Sequence, residues 1–593
     1  MTTSKSSAGP TTLNALLERA ATTAHGGLEV GLRFVDRRER ERWLGWDALH
    51  GQALEVAGGL VSLGVERGER VALIYATGED FFRAFFGILL AGAVPVPLYP
   101  PVRLGRLDEY HRRTAAMIRA AGAVLVLAEG RVRRILGPTI QGARPRHGCR
   151  SLDGLDLHAP DATPTVDATD LGLVQFSSGT TVDPKPVALS HRAILAQVLA
   201  LNSFWPDDTS TRHSGVSWLP LYHDMGLIGC VFPALERPST LTLLGPELFV
   251  ARPALWLRAL SRHRATISVA PNFAYGLCVE KIRDDELDGV DLSHWRVALN
   301  GAEAVAPSVL RAFQERFAHW GFRPEALTPV YGLSEATLAV TFSDLRSGFR
   351  TAHFDRKALM RGEVRTLDEG LEMASVGKPL PGTDIDIVDP DGRSLGDGRI
   401  GEVTVRGPSV MDGYLDRPDA TAATLNNGWL ATGDLGFIHD GELFLTSRKK
   451  DVVILRGRNY SPVEIEQAVE GVEGLRKGCA VAVSHLPEGA DHEELIVFLE
   501  HRHDASPAII ESMPRMCSEA ILATTQLRTQ RIYVLAPGTL PRTSSGKLRR
   551  RKALELYLTG ELAPPRKVTP LLLAGAMVRS AMAYRKAATK VGK

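Results

Sequence analysis

The feature that most constrains this chain is an alternation. From about residue 12 to residue 440, short apolar runs recur between amphipathic stretches. "RVALIYA" (70–76), "AVLVLAE" (123–129), "LGLVQFSS" (171–178) and "ATISVAP" (265–271) have the composition of strands covered on both faces. Between such runs, "DEYHRRTAAMIRAAG" (108–122) repeats its apolar residues at helical spacing. Strand, helix, strand in series predicts α/β architecture with largely parallel sheets, because a parallel crossover needs the length of a helix. "AFFGILLAGAVPVPL" (84–98) reads as a buried helix, a stop at Gly92 and a buried strand. It is too short to span a bilayer and ends in prolines.

The pattern changes along the chain. Residues 376–445 alternate apolar and polar with turns between, which predicts β-hairpins. "GCAVAV" (478–483), "ELIVFLE" (494–500) and "RIYVLA" (531–536), with helices between, mark a smaller α+β unit. The expected organisation is a disordered segment 1–11 and a large N-terminal domain 12–445 of stacked α/β sheets with a β-rich subdomain. A hinge at 446–451, a small mobile C-terminal domain 452–562 and a basic helical tail 563–593 follow.

With 593 residues and a formal net charge of +2, the chain has no overall charge suited to a dedicated nucleic-acid binder. Its five cysteines are scattered, without metal-ligand spacing, which fits a reduced, cytoplasmic setting. The N-terminus lacks the apolar run of a signal peptide, and no transmembrane segment is expected.

Two motifs mislead. "GDGRIG" (396–401) matches a dinucleotide fingerprint but leads into a strand, so no helix N-terminus awaits a pyrophosphate. "GTLPRTSSGK" (538–547) has the wrong glycine-to-lysine spacing for a phosphate loop of the Walker type. The informative stretches are others. In "FSSGTTVDPKP" (176–186), Ser177, Ser178, Gly179, Thr180 and Thr181 gather hydroxyls and backbone N–H groups, and Lys185 adds a charge. "LSHRAILAQ" then starts a helix with Ser190 as N-cap. "TPVYGLSEATLAV" (328–340) supplies Tyr331 to stack on a base, Ser334 to reach a phosphate and Glu335 to hold a divalent cation. "LNGAEAV" (299–305) ends a strand in small residues that admit a flat ring. Asp434 is placed to accept from ribose hydroxyls, Arg448 follows, and Lys547 sits on a Gly/Ser loop before a helix. Singly, each also reads as a turn, a core tyrosine or a solvated charge; the ordered set is the specific signal.

That ordered set resembles the adenylate-forming superfamily of acyl-CoA synthetases, adenylation domains and luciferases, over roughly residues 12–562. The resemblance implies ATP and Mg²⁺, an active site between two domains, and residue roles. Residues 177–185 would be the pyrophosphate-side loop. Gly301, Ala302 and Tyr331, with Glu303 and Gly332 beside them, would form the adenine site, and Ser334 and Glu335 the phosphate and Mg²⁺ site. Asp434 and Arg448 would meet the ribose, Lys450 would be the hinge, and Lys547 would bridge carboxylate, α-phosphate and ribose. A carboxylate is already ionised at pH 7, so its attack on phosphorus needs no general base; bringing two anions together is the difficulty.

"SWLPLYHDMGLIGCVFPAL" (217–235), "APNFAYGLCVEKI" (270–282), "RGRNYSPVEIEQAV" (456–469) and "TSSGKLRRRKALELYLTGEL" (543–562) narrow the resemblance to fatty acyl-AMP ligases. There, His223 would lie beside the acyl carboxylate, with Trp218, Met225 and Phe273 lining an apolar pocket; otherwise His223 and Asp224 form a buried pair. The segment 341–374 resembles that family's insertion, which restrains the small domain and disfavours free coenzyme A. The implied partners are a fatty or other carboxylic acid and the phosphopantetheine thiol of an acyl carrier protein or synthase, in a monomer or weak dimer. A coenzyme A ligase and a catalytically silent scaffold are the alternatives. In "RGRNYSPVEIEQAV", Ser461, Pro462 and Glu464 also predict a capping box. Val182 and Pro186 stand where the superfamily usually has glycine, which predicts altered closure of that loop. The tail reads either as a membrane- or carrier-binding helix or as one packed on the protein.

Overall fold

A computed structural model of the chain describes residues 9–26, 29–101, 104–176, 184–204, 213–455, 458–487, 489–490, 492–543, 546–565 and 568–591. Thr12 accepts from Ala15 N at 3.2 Å and caps the first helix, Leu13–His25; of the segment 1–11, only residues 9–11 are described.

The predicted alternation builds two layered sheets. Val94–Pro97, Arg70–Ile74, Leu125–Ala128 and Cys149–Arg150 form a parallel sheet in that order. A larger sheet has a parallel centre of Leu327–Gly332, Val297–Gly301, Ile267–Pro271, Gly215–Ser217, Thr240–Leu244 and Gly31–Val35, with antiparallel strands at both edges. Their apolar residues are buried as the runs require. The helix Glu79–Leu90 places Phe81, Phe82, Phe85 and Phe86 in the main core, and Gly92 turns the chain at φ +72° into the strand Val94–Pro97. The hairpin region forms an antiparallel sheet around Gly401–Arg406, Trp429–His439 and Glu442–Arg448. "GDGRIG" is its turn, with Gly396 and Gly398 at positive φ. The C-terminal unit is a mixed sheet of Leu475–His485, Glu494–His501 and Arg531–Leu535 flanked by helices.

Three local expectations change. The Ser/Thr loop does not run from a strand straight into a helix: Pro186–Ser190 is a strand, antiparallel to Leu171–Phe176, so the loop closes a hairpin. Pro186 opens that strand, where its missing N–H is tolerated, and Ser190 still caps the helix His191–Ser203. The loop residues Ser177, Ser178, Gly179, Thr180, Thr181 and Val182 lie outside the described residues. Second, the strand Glu442–Arg448 runs three residues into the segment read as a hinge, leaving 449–451 as the turn. Third, there is no capping box at 461–464. Ser461 Oγ donates to Thr446 O at 3.0 Å, and Glu464 pairs with Arg356.

Arg356 belongs to the segment 341–374, which has structure of its own. Thr351–Phe354 and Leu371–Ala374 pair, and the helix Arg356–Met360 lies between them. Phe354 packs against Phe437 and Phe444 of the β-rich sheet, while Arg356 reaches Glu464 and the Thr524 carbonyl (2.5 Å) of the C-terminal unit. The tail forms the helix Pro570–Val591, packed on the helix Gly137–Ala143. A Cβ on Gly137 would lie 2.1 Å from Ser580 O, so the approach depends on glycine.

Candidate active site

Because six strands of the larger sheet are parallel, the loops after them leave from one edge, where open α/β sheets bind ligands. Ser217 is followed by Trp218, His223 and Asp224. Pro271 leads to Phe273, Gly301 to Ala302 and Glu303, and Tyr331–Gly332 to Ser334 and Glu335. They border a cleft of about 2480 Å³ whose other wall includes Asp434, Arg448, Lys450 and Lys547. Sterics fix the backbone here. A Cβ on Gly301 would meet Val330 Cγ2 at 2.7 Å, and one on Gly332 would meet Leu338 O at 1.9 Å. Ala302 (φ +72°) and the β-branched Thr337 (φ +68°) hold left-handed conformations, strain of a kind that clusters at functional sites.

Three hydrogen-bonded groups organise the cleft. In the first, Tyr331 Oη donates to Asp434 Oδ2 at 2.8 Å and Arg448 Nε donates to Oδ1 at 3.0 Å. Burial and the Asp434 charge push the Tyr331 phenol well above its usual range, so it stays a donor. Each Asp434 oxygen thus accepts one hydrogen bond and keeps a second lone pair that can accept another.

In the second, Asp224 joins two loops far apart in sequence. It accepts from His223 Nδ1 at 2.5 Å, from Ser334 Oγ at 2.5 Å and from Met225 N at 2.7 Å. Burial opposes its charge, but His223 and Ser334 outweigh this and hold the carboxyl well below the usual range. The Asp224 carboxylate holds the imidazole by its Nδ1 edge, which Met225 N also approaches at 3.4 Å, and leaves Nε2 as the nitrogen outside this cluster.

In the third, Tyr414 Oη donates to Glu335 Oε1 at 2.9 Å, and Lys185 Nζ lies 4.8 Å from the Tyr414 ring centroid. Burial raises the Glu335 carboxyl above its ordinary value. Among the described residues no cluster of three or more His, Cys, Asp or Glu could cage a metal ion. A single buried carboxylate bordering the cleft still fits Mg²⁺, which takes one or two carboxylates and completes its shell with water and phosphate oxygens.

Lys547 enters the same cleft from the C-terminal unit. Its N–H donates to Thr543 Oγ1 at 3.1 Å, and its ammonium interacts electrostatically with Asp224, Glu303 and Asp434. Burial and the nearby Arg448 lower its pKa. Glu303 is engaged structurally, accepting from Phe273 N at 2.6 Å. Lys450 lies in the 449–451 turn, its carbonyl accepting from Arg551 Nε at 2.7 Å, while Arg550 ties Asp451 to Glu466. Trp218, Met225 and Phe273 all border the cleft. Trp218 stacks on Phe249 at 3.8 Å and is only 3% exposed, so Phe273, at 39%, is the more accessible wall.

Sequence reasoning missed Tyr414, which links Lys185 to Glu335, because nothing in "MDGYLD" marks it. It also missed Arg356 as the insertion's contact with the small unit.

Residues 21–415 match the family described as AMP-binding enzyme. A long-chain-fatty-acid–AMP ligase (FadD26) of Mycobacterium marinum is 34% identical over 546 residues, 87% of this chain and 91% of that one. The chain belongs to the fatty acyl-AMP ligase family of AMP-binding enzymes. A putative acyl-CoA synthetase of Caulobacter vibrioides is 35% identical over 565 residues, covering 93% and 96%. A solved structure from a study of fatty acyl-adenylate ligases of E. coli and L. pneumophila superposes with a TM-score of 0.86 at 31% identity, covering 93% of this chain and 98% of that one. Family membership makes ATP a substrate and agrees with the doubly layered α/β fold. No helix among the described residues is long and apolar enough to cross a membrane.

Proposed function

We propose that the chain activates a fatty or related carboxylic acid as its acyl-adenylate and transfers the acyl group to the phosphopantetheine thiol of a carrier protein or carrier domain. In the first step a carboxylate oxygen bonds to the α-phosphorus of ATP, the α–β phosphoanhydride bond breaks, and pyrophosphate leaves. In the second, the thiol gives up its proton to solvent, its sulfur bonds to the acyl carbon, and AMP leaves with the electrons of the acyl carbon–oxygen bond.

The observation that carries this reading is the convergence of Lys547 with two of the three carboxylate-centred groups, Tyr331–Asp434–Arg448 and His223–Asp224–Ser334. Lys547 brings positive charge to where two anions must meet. Asp434 and Arg448 orient the nucleotide, and His223, held by Asp224, presents Nε2 to the acid or α-phosphate. Lys185 would meet pyrophosphate. Glu335 would hold Mg²⁺, which when bound offsets phosphate charge. Phe273, Met225 and the edge of Trp218 give the acyl chain an apolar wall. The carrier acceptor is supported by the insertion, whose Arg356 grips Glu464 and Thr524 and so limits rotation of the small unit.

Lys547→Ala tests the assignment. Acid-dependent ATP–pyrophosphate exchange should fall at least about a hundredfold, with nucleotide affinity retained. Unchanged exchange would refute the role given to Lys547.

A further inference from the structure

The near-balanced charge of the chain is unevenly spread. Residues 110–150 contain nine arginines and a single acidic residue, Glu129; residues 562–593 contain seven Lys or Arg and no Asp or Glu. The fold brings these distant segments together. The helix Pro570–Val591 lies on Gly137–Ala143, which in turn packs on Leu107–Ala120. Ser580 Oγ accepts from Gly137 N at 2.8 Å, and Tyr584 Oη donates to Arg133 O at 2.9 Å.

The docked face of the tail helix is made of small residues, Ala576, Ser580 and Ala583, all buried. Its outer face carries Leu571, Val578 and Met582, which are 84%, 54% and 57% exposed and fall on one stripe by their spacing of seven and four. Around the stripe stand exposed basic groups. Arg131, Arg134, Arg144 and Arg579 form no ion pair among the described residues. A helix held by one face, apolar on the other, beside a surface where arginines outnumber the acidic residues Asp108, Glu109 and Glu129, has the makeup of an interfacial lipid-binding element.

We infer that this face docks on an anionic phospholipid bilayer, with Leu571, Val578 and Met582 among the acyl chains and the arginines on headgroup phosphates. An acidic carrier protein would satisfy the charge but not the position. A carrier must deliver its thiol to the cleft, and none of these residues borders it. The purpose rests on the proposed activity, since long-chain acids partition into bilayers and the enzyme would meet its substrate there. The binding itself does not depend on that reading.

The test is co-sedimentation of the full chain with vesicles of phosphatidylcholine containing phosphatidylglycerol, against phosphatidylcholine alone. Binding should be about tenfold tighter on the anionic vesicles and weaken with added salt. Val578→Asp with Met582→Asp should reduce it by about tenfold or more, while adenylation of a short, water-soluble acid stays unchanged and reports an intact fold. No preference for anionic vesicles, or undiminished binding by the double variant, overturns the inference. So does normal vesicle binding with lost carrier loading, which would make the face a carrier dock. Absence of acid-dependent exchange in the unaltered chain would instead overturn the activity, whatever the vesicles show.

Discussion

At the scale of single residues, Asp224 is the point on which the reacting side of the cleft is organised. It takes hydrogen bonds from His223 and from Ser334, 110 residues away in sequence. Asp224→Asn cannot accept both in the same way and lets the imidazole change tautomer. The adenylation rate should fall about ten- to a hundredfold with little change in ATP affinity; a raised KM for ATP at unchanged kcat would contradict this. Lys547 gives a pH prediction. Its pKa is lowered by burial and Arg448, so on the alkaline side it loses its charge below the usual lysine value of about 10.4. Exchange activity should decline from a lower pH than an ordinary lysine would give, and Lys547→Arg should move that limb upward. Much of this was legible. The residue types of "YHDMG" and "YGLSE" announced a polar cluster, and a buried His223–Asp224 pair was readable from adjacency. The third partner was not, because only the sheet brings the two loops together. Tyr414 was hidden for the same reason.

At the scale of elements, the helix His191–Ser203 carries a buried titratable group. His191 Nδ1 accepts from Leu13 N at 3.1 Å, and burial pushes its pKa down to about 4. The native state therefore resists a proton that the unfolded chain takes up near the ordinary value of about 6.5. Stability should fall by about 3 kcal/mol as pH drops from about 6.5 to about 4, then lose nothing more from this group. Denaturant titrations of the native chain and of His191→Gln should differ in slope over that window; identical pH dependence would remove His191 as the cause. The strands of "RVALIYA" and "ATISVAP" could be read because both faces are buried and the runs are apolar throughout. Pro186–Ser190 could not: a short strand opened by proline reads as loop, and its partners come from Leu171–Phe176 and from Gly413–Tyr414. The capping box failed because Glu464 found a stronger charged partner, Arg356, on an element over a hundred residues earlier. Arg356→Ala should loosen the small unit and raise acyl-CoA formation from its basal level, read by mass; an unchanged level would leave the insertion without this role.

At the scale of the whole molecule, the small unit is attached to the rest in more than one place. The 449–451 turn joins it to the β-rich sheet, and the tail helix returns to the large body. Arg106 links the two, donating to Thr539 O at 3.2 Å and Ala563 O at 3.0 Å. Gly137→Val should displace the tail helix, because the added side chain would enter Ser580. Protease cleavage between 562 and 569 should then speed up, and equal cleavage rates would argue against the docking. The sequence shows the tail's charge and helical pattern, but where it docks follows from the tertiary fit of Gly137. The central claim concerns what the molecule does with its adenylate. The most direct measurement supplies ATP, a fatty acid, a holo-carrier protein and free coenzyme A together and reads the thioesters by mass. Acyl-carrier should dominate; rapid accumulation of acyl-CoA with the carrier left unloaded would contradict the assignment.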